Sequence, residues 1–264
     1  EETIRSNTNI YRDRYGELVP VSAHPKIRSR EACLKSSTLA VELASKYNTR
    51  LHILHLSTSD ELSLLSNQPS NGSKRITAEV CVHHLWFSDE DYARLGSAIK
   101  WNPAIKTAGD RDALLNALLD GRIDVVATDH APHTFEEKGR SYFACPSGGP
   151  LVQHSLVAMR ELSHEEKILP AKVIEKMSHA PARIFGIDRR GFIRQGYHAD
   201  LVLVDPDAPW TVSTDNILYK CGWSPFEGQT FHSRITHTFV GGHLAWHNDR
   251  FDESHLGERL LFNR

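Results

Sequence analysis

The sequence predicts an α/β fold: a parallel sheet with crossover helices, followed by a small β domain. Three observations carry this. Short apolar runs alternate with amphipathic segments up to about residue 189, the pattern of β/α units joined by right-handed crossovers. Near Arg190 the alternation stops, and 199–204, 234–240 and 243–247 read as strands, with turns at Asp205-Pro206 and Gly241-Gly242 and no helical pattern between them. The apolar run Val125-Val126-Ala127 ends abruptly in Asp129, His130, Pro132 and His133. A buried parallel strand ends this way where it delivers polar groups to a site at its C-terminal end.

The elements follow in order. The first thirty residues are polar and read as irregular, broken by Pro20 and Pro25. A helix is expected from about Glu31 to Tyr47, with Ala40, Leu43, Ala44 and Tyr47 on its apolar face and Ser29 as its N-cap. Residues 50–56 (RLHILHL) form a strand in which Leu51, Ile53 and His55 share one face. Thr58 to Ser66 reads as a helix, 67–74 (NQPSNGSK) as a loop, and Ile76 to Val82 as the next strand. A helix over 110–120 buries Leu114, Leu115 and Leu118 and stops at Gly121, and 123–128 is the third strand. Helices over 151–162 and 171–178, the second led by Pro170, complete this part. Three β/α units are visible where a closed barrel needs eight, so the residues fit either a small open sheet or the later part of a barrel.

Composition narrows the function. The chain has 264 residues and a formal net charge of −2, which gives no basic footprint for nucleic acid and no polybasic membrane patch. No apolar run approaches the roughly 20 residues of a membrane span, and the acidic start does not read as a signal peptide. The four cysteines, Cys33, Cys81, Cys145 and Cys221, are scattered without a CxxC pair, so a reducing cytoplasm is expected. There are sixteen histidines; His232, His237, His243 and His247 are assigned to surface or packing roles.

Chemistry concentrates at the strand ends. His55 and Asp129 sit at corresponding ends of two parallel strands, and imidazole with carboxylate suits zinc, iron or manganese. Metal-assisted hydrolysis is therefore the first reaction class to test. Asn102, fixed by Pro103, and His133, fixed by Pro132, are candidate substrate contacts. The loop 145–150 (CPSGGP) lets backbone N–H groups approach a ligand closely. One of His83-His84, after Val80-Cys81-Val82, is a candidate ligand, with packing the favoured role, and Glu136-Glu137-Lys138 is assigned to a solvated face.

These segments carry a resemblance. LHILHLST, EVCVHHL, KWNPAIK, TDHAPHTFEEK and CPSGGPL, in that order, resemble class I dihydroorotase of the amidohydrolase superfamily. SHAPARIFGI and HADLVLVDP are similar to the superfamily's exit from its barrel into a small β domain. The resemblance implies the later part of a (β/α)8 TIM-type barrel over 1–189, followed by a small β-sandwich domain over 190–264. It implies one or two Zn2+ ions and interconversion of L-dihydroorotate and N-carbamoyl-L-aspartate in pyrimidine synthesis. Asp129 then resembles the combined metal ligand and proton shuttle, and His55 a further metal ligand. Asn102, His133, Ser147 and Gly148 resemble substrate contacts. A homodimer and association with aspartate transcarbamoylase are further implications. The family's HxH strand is not found in this sequence, so the remaining ligands are expected upstream of Glu1 and the 264 residues alone are expected to bind metal weakly, without useful turnover. Two alternatives stay open: a catalytically silent scaffold subunit, and a related hydantoinase or allantoinase.

Overall fold

The computed structural model describes residues 1–69, 74–247 and 249–263. The described chain forms two compact units, one comprising 1–69, 74–155 and 213–227, the other 156–212 with most of 228–263. Residues 70–73 of the expected 67–74 loop lie outside the described residues.

The first unit opens with a helix, α1 (Glu2–Tyr15), where the sequence reads as irregular. Its apolar residues are too few to give a helical period, and none of its side chains is fully buried. Tertiary contacts hold it instead: Ile4 and Tyr11 pack on Val19, Ala23, Ile27 and Tyr142, and Asn7 donates to the Lys26 and Ile27 carbonyls at 3.2 and 3.1 Å. A short α2 (His24–Ile27) leads into α3 (Arg30–Lys46). The expected cap is present, with the Ser29 hydroxyl accepting from the Ala32 N–H at 3.3 Å. The apolar face of α3 differs from expectation: Ser37 and Ala44 are buried, whereas Leu43 and Tyr47 are exposed. Small side chains let this helix approach its neighbours, which the search for large apolar residues overlooks.

Strands β1 (Leu51–Ile53), β2 (Ile76–Cys81) and β3 (Val125–Ala127) form a parallel sheet in that order. Leu51 faces Ile76 and Glu79 faces Val125. The segment after β1 is a single 3-10 stretch, Asp60–Leu64, rather than a longer helix. Two short helices, α4 (Val82–Trp86) and α5 (Tyr92–Leu95), follow β2. Helix α6 (Ala108–Asp120) starts with a Thr107–Asp110 capping box and ends at Gly121, whose φ of 89° is the left-handed conformation that ends helices. Below it, the buried Lys74 ammonium bonds Asp124 at 2.9 Å and the Gly121 and Arg122 carbonyls at 3.0 Å, while Asp124 accepts from the Ala78 N–H at 3.0 Å. One ion pair thus satisfies carbonyls just past a helix C-terminus and ties β2 to the start of β3. The last helix of this unit's site region is α7 (Phe135–Lys138).

In the second unit, α8 (Ser155–His164) and α9 (Pro170–Ile174) precede a π-helical turn, Glu175–His179, that runs straight into α10 (Ala180–Phe185). Strand β4 (Leu201–Asp205) belongs to a sheet, and β5 (Trp210–Thr211) pairs with β6 (Thr230–Phe231) as a separate ladder. With β7 (Arg234–Val240), β8 (His243–His247) and β9 (Arg250–Phe251), the sheet is antiparallel in the order β4-β7-β8-β9. Its histidines pack rather than converge: His237 stacks on His247 with ring centroids 4.0 Å apart, and His232 bonds the buried Glu161 at 2.7 Å.

His24 makes the first unit acid-sensitive. It is buried between the Tyr142 hydroxyl at 2.8 Å and the Trp101 carbonyl at 2.7 Å, and burial pushes its pKa down to about 3 from 6.5. The unfolded chain binds this proton at higher pH than the folded one, so the contribution is complete above pH 6.5 and is lost as pH falls towards 3. A pH series of urea denaturation should show the wild type losing up to about 1.4 kcal/mol per pH unit more than His24→Gln within this window. Parallel curves for the two proteins would contradict it.

Candidate active site

The two candidate ligands occupy equivalent positions. His55 is the second residue past β1, and Asp129 the second past β3. Both have left-handed backbones, with φ of 40° and 47°, a conformation uncommon for residues with a Cβ and concentrated at functional sites. The turn, rather than the strand's period-two alternation, therefore aims the His55 side chain. Its Nδ1 is buried with no hydrogen-bond partner. Asp129 is half-buried, and its carboxyl is pushed up by burial and by Glu79, with His55 pulling it back. His55 is thus near enough to act on the charge of Asp129. Glu79 itself is held by His52 Nε2 at 3.1 Å, and His52 Nδ1 contacts the Thr77 hydroxyl at 2.8 Å. An unsatisfied imidazole nitrogen beside a carboxylate is a donor set that fits a divalent cation of the zinc type.

A cavity of about 470 Å³ opens beside β1 and α3, and His55, His52, Glu61 and Asn102 line it. The Asn102 Oδ1 is buried without a partner, an acceptor free for a ligand N–H. The Asn102–Pro103 peptide is cis. Asp129, His133, Ser147 and Gly148 are not among the residues lining this cavity.

Those residues belong to loops bound to one another. The Trp223 indole donates to the His133 carbonyl at 2.7 Å, and a Thr134–Glu137 capping box fixes the chain just after it. The Gly148 N–H donates to the Lys100 carbonyl at 2.8 Å and the Ala131 N–H to the Gly149 carbonyl at 3.2 Å. Gly148 has a φ of 122°, and a Cβ there would lie 2.7 Å from the Ala131 carbonyl oxygen; one on Gly149 would lie 2.6 Å from Trp101. Both positions therefore exclude a side chain, and the loop lies directly against 129–133.

Lys138 corrects the sequence reading. Assigned to a solvated face, it is 2 % exposed. Its ammonium donates to the carbonyls of Lys100, Pro146 and Gly148 at 3.3, 3.0 and 2.8 Å, and burial pushes its pKa down to about 8. Glu136 and Glu137 remain on the outer side of α7 as expected. A Lys after two Glu looks solvated in sequence; the closing of a short helix against two carbonyl-rich loops reverses that. Lys100 behaves similarly, donating to the Tyr142 carbonyl at 2.8 Å and to the Cys145 carbonyl.

Sequence reasoning ranked packing above a ligand role for His83-His84 and did not join Cys81 to them. Both histidines are buried, as a packing role requires, but ligand-capable atoms of all three residues lie within 4.8 Å of one another. The CxHH spacing at a strand end was the available signal.

Comparison with known proteins gives the family and the fold. The family model described as "Amidohydrolase family" matches residues 38–245. The chain is 37 % identical over 224 residues to a dihydroorotase of Halobacterium salinarum, covering 84 % of this chain and 51 % of that protein. It is 38 % identical over 213 residues to a dihydroorotase of Methanosarcina mazei, covering 78 % and 46 %. The chain spans about half the length of the curated relatives it matches. Among solved structures, the L-hydantoinase (dihydropyrimidinase) of Arthrobacter aurescens superposes with a TM-score of 0.86 at 23 % identity, over 95 % of this chain and 56 % of that one. A D-hydantoinase structure gives the same score and coverage. These establish the fold, a TIM-barrel architecture of which only part is present here. With 208 residues under one family model, the chain belongs to the amidohydrolase family.

Proposed function

We propose that the protein containing this sequence is a dihydroorotase, a hydrolase that opens and closes the cyclic amide between L-dihydroorotate and N-carbamoyl-L-aspartate. The observation that carries this reading is the pair His55 and Asp129, each two residues past a parallel strand and each in a left-handed turn. The relatives named dihydroorotase support the substrate. Lys100 and Lys138, neither ion-paired among the described residues, supply positive potential around the loops, which favours an anionic ring over a neutral hydantoin.

In this reading His55 and Asp129 hold Zn2+, which when bound would lower the pKa of a water and polarise the amide carbonyl. Asp129 accepts a proton from the attacking water and returns it to the departing ring nitrogen, so the C–N bond breaks without a charged amide leaving. His133 clamps the substrate carboxylate, Asn102 contacts the ring, and Ser147 and Gly148 offer backbone groups to the substrate. Holding the ring in this orientation makes the attack effectively intramolecular. We also propose residues 1–189 as barrel and 190–264 as the small β domain, a homodimer with possible docking to aspartate transcarbamoylase, and a cytoplasmic location. No helix among the described residues is long and apolar enough to cross a membrane.

Assaying the zinc-loaded protein against L-dihydroorotate, hydantoin and allantoin tests the substrate. Dihydroorotate should turn over fastest, and Asp129→Asn should lower kcat by about 10²–10⁴. Opening of hydantoin or allantoin with dihydroorotate untouched contradicts the reading, and no turnover of any ring favours a silent scaffold. Lys138→Met should raise KM by about tenfold, with a smaller effect on kcat, because three carbonyls of the substrate loops lose their charged donor. Wild-type KM should rise above about pH 8 as this ammonium loses its proton; a KM that responds to neither change would remove Lys138 from the account.

A further inference from the structure

The end of β2 carries a group of donors that the proposed reaction does not use. Cys81 is the last residue of β2, and His83 and His84 lie in the first turn of α4. All three are buried, and their ligand-capable atoms lie within 4.8 Å of one another. Buried polar atoms in proteins are nearly always hydrogen-bonded, so each exception needs a partner. Here Nδ1 of His84 has none, and His83, whose ring lies against the Thr128 backbone, makes no hydrogen bond of good geometry through either nitrogen.

The orientation of His84 is informative. Its Nε2 lies 3.2 Å from the Pro103 carbonyl, which can only accept, so that nitrogen carries the proton. Nδ1 is then a bare lone pair, buried and unpartnered. A ring N–H given to a backbone carbonyl, with the other nitrogen left open, is the arrangement that supports metal-ligating histidines. His83 is stacked on Trp101, with centroids 4.4 Å apart and an interplanar angle of 11°, which fixes its ring plane. Its centroid is 4.1 Å from that of His84.

We propose that Cys81, His83 and His84 form a second metal site, taking a thiophilic divalent cation of the zinc type with one thiolate and two imidazole donors. The ligand set is distinct from the His55–Asp129 pair because it contains sulfur, and borderline-soft cations favour that combination. Binding releases the thiol proton from Cys81 to solvent as the Sγ–metal bond forms. The bound ion ties the end of β2 to α4 beneath Trp101, a structural role that does not depend on the substrate proposed above.

Cobalt(II) titration of the metal-free protein separates the two sites, since only a thiolate ligand gives a sulfur-to-cobalt charge-transfer band in the near ultraviolet. The wild type should show this band saturating at one equivalent. Cys81→Ser should abolish it, and His84→Gln should weaken the cobalt affinity behind it at least tenfold. Cys33→Ser and Cys221→Ser should retain it. If Cys81→Ser fails to fold by circular dichroism, zinc X-ray absorption on the wild type decides, with a sulfur scatterer expected at about 2.3 Å. Absence of the band and of a sulfur scatterer in the wild type, or a band that survives in folded Cys81→Ser, overturns the site. Loss of dihydroorotate turnover alone leaves this outcome unaffected.

Discussion

The Lys138 ammonium is the contact on which the site's loops depend. It is buried, and its three hydrogen bonds all go to backbone carbonyls: Lys100 on the segment leading to Asn102, and Pro146 and Gly148 on either side of Ser147. An uncompensated charge at that depth is costly, as its lowered pKa records. The charge is retained where a neutral donor would be cheaper, and what it gives in return is a fixed spacing between two loops that have no regular structure of their own. The glycines complete the arrangement, since Gly148 and Gly149 let the loop close onto Ala131 and Trp101 at distances no side chain permits.

The sheet performs the corresponding task for the two candidate ligands, His55 and Asp129. Parallel strands bring their C-terminal ends to one side, so residues at the same offset past β1 and β3 share a neighbourhood although 74 positions separate them. The left-handed turns at His55 and Asp129 redirect both side chains at that point. Lys74 and Asp124 stabilise the opposite end, joining β2, β3 and the stop of α6. Rigid support below and carbonyl-anchored loops above are what a site needs if its groups are to be held ready rather than assembled on binding.

Much of this was legible in the sequence because it rests on local chemistry. The Ser29 cap, the Gly121 stop, the β7 and β8 strands and the strand-end positions of His55 and Asp129 each follow from a few adjacent residues. What was not legible depends on distant partners. Helix α1 has no fully buried side chain to produce a period. The face of α3 is set by small residues packed against other elements, so Leu43 and Tyr47 misdirect. Lys138 reads as solvent-facing beside Glu136 and Glu137 until the loops that surround it are in position. The grouping of Cys81 with His83 and His84 is a local exception: its CxHH spacing stood in the sequence, and the turn from β2 into α4 is what brings the three together.

We propose that His55 and Asp129 share one metal ion. A crystal structure of the zinc-loaded protein, with anomalous data collected on both sides of the zinc edge, tests it most directly. A peak is expected within about 2.2 Å of a His55 ring nitrogen and an Asp129 carboxylate oxygen. Full zinc occupancy elsewhere, with no peak between these two residues, would contradict it.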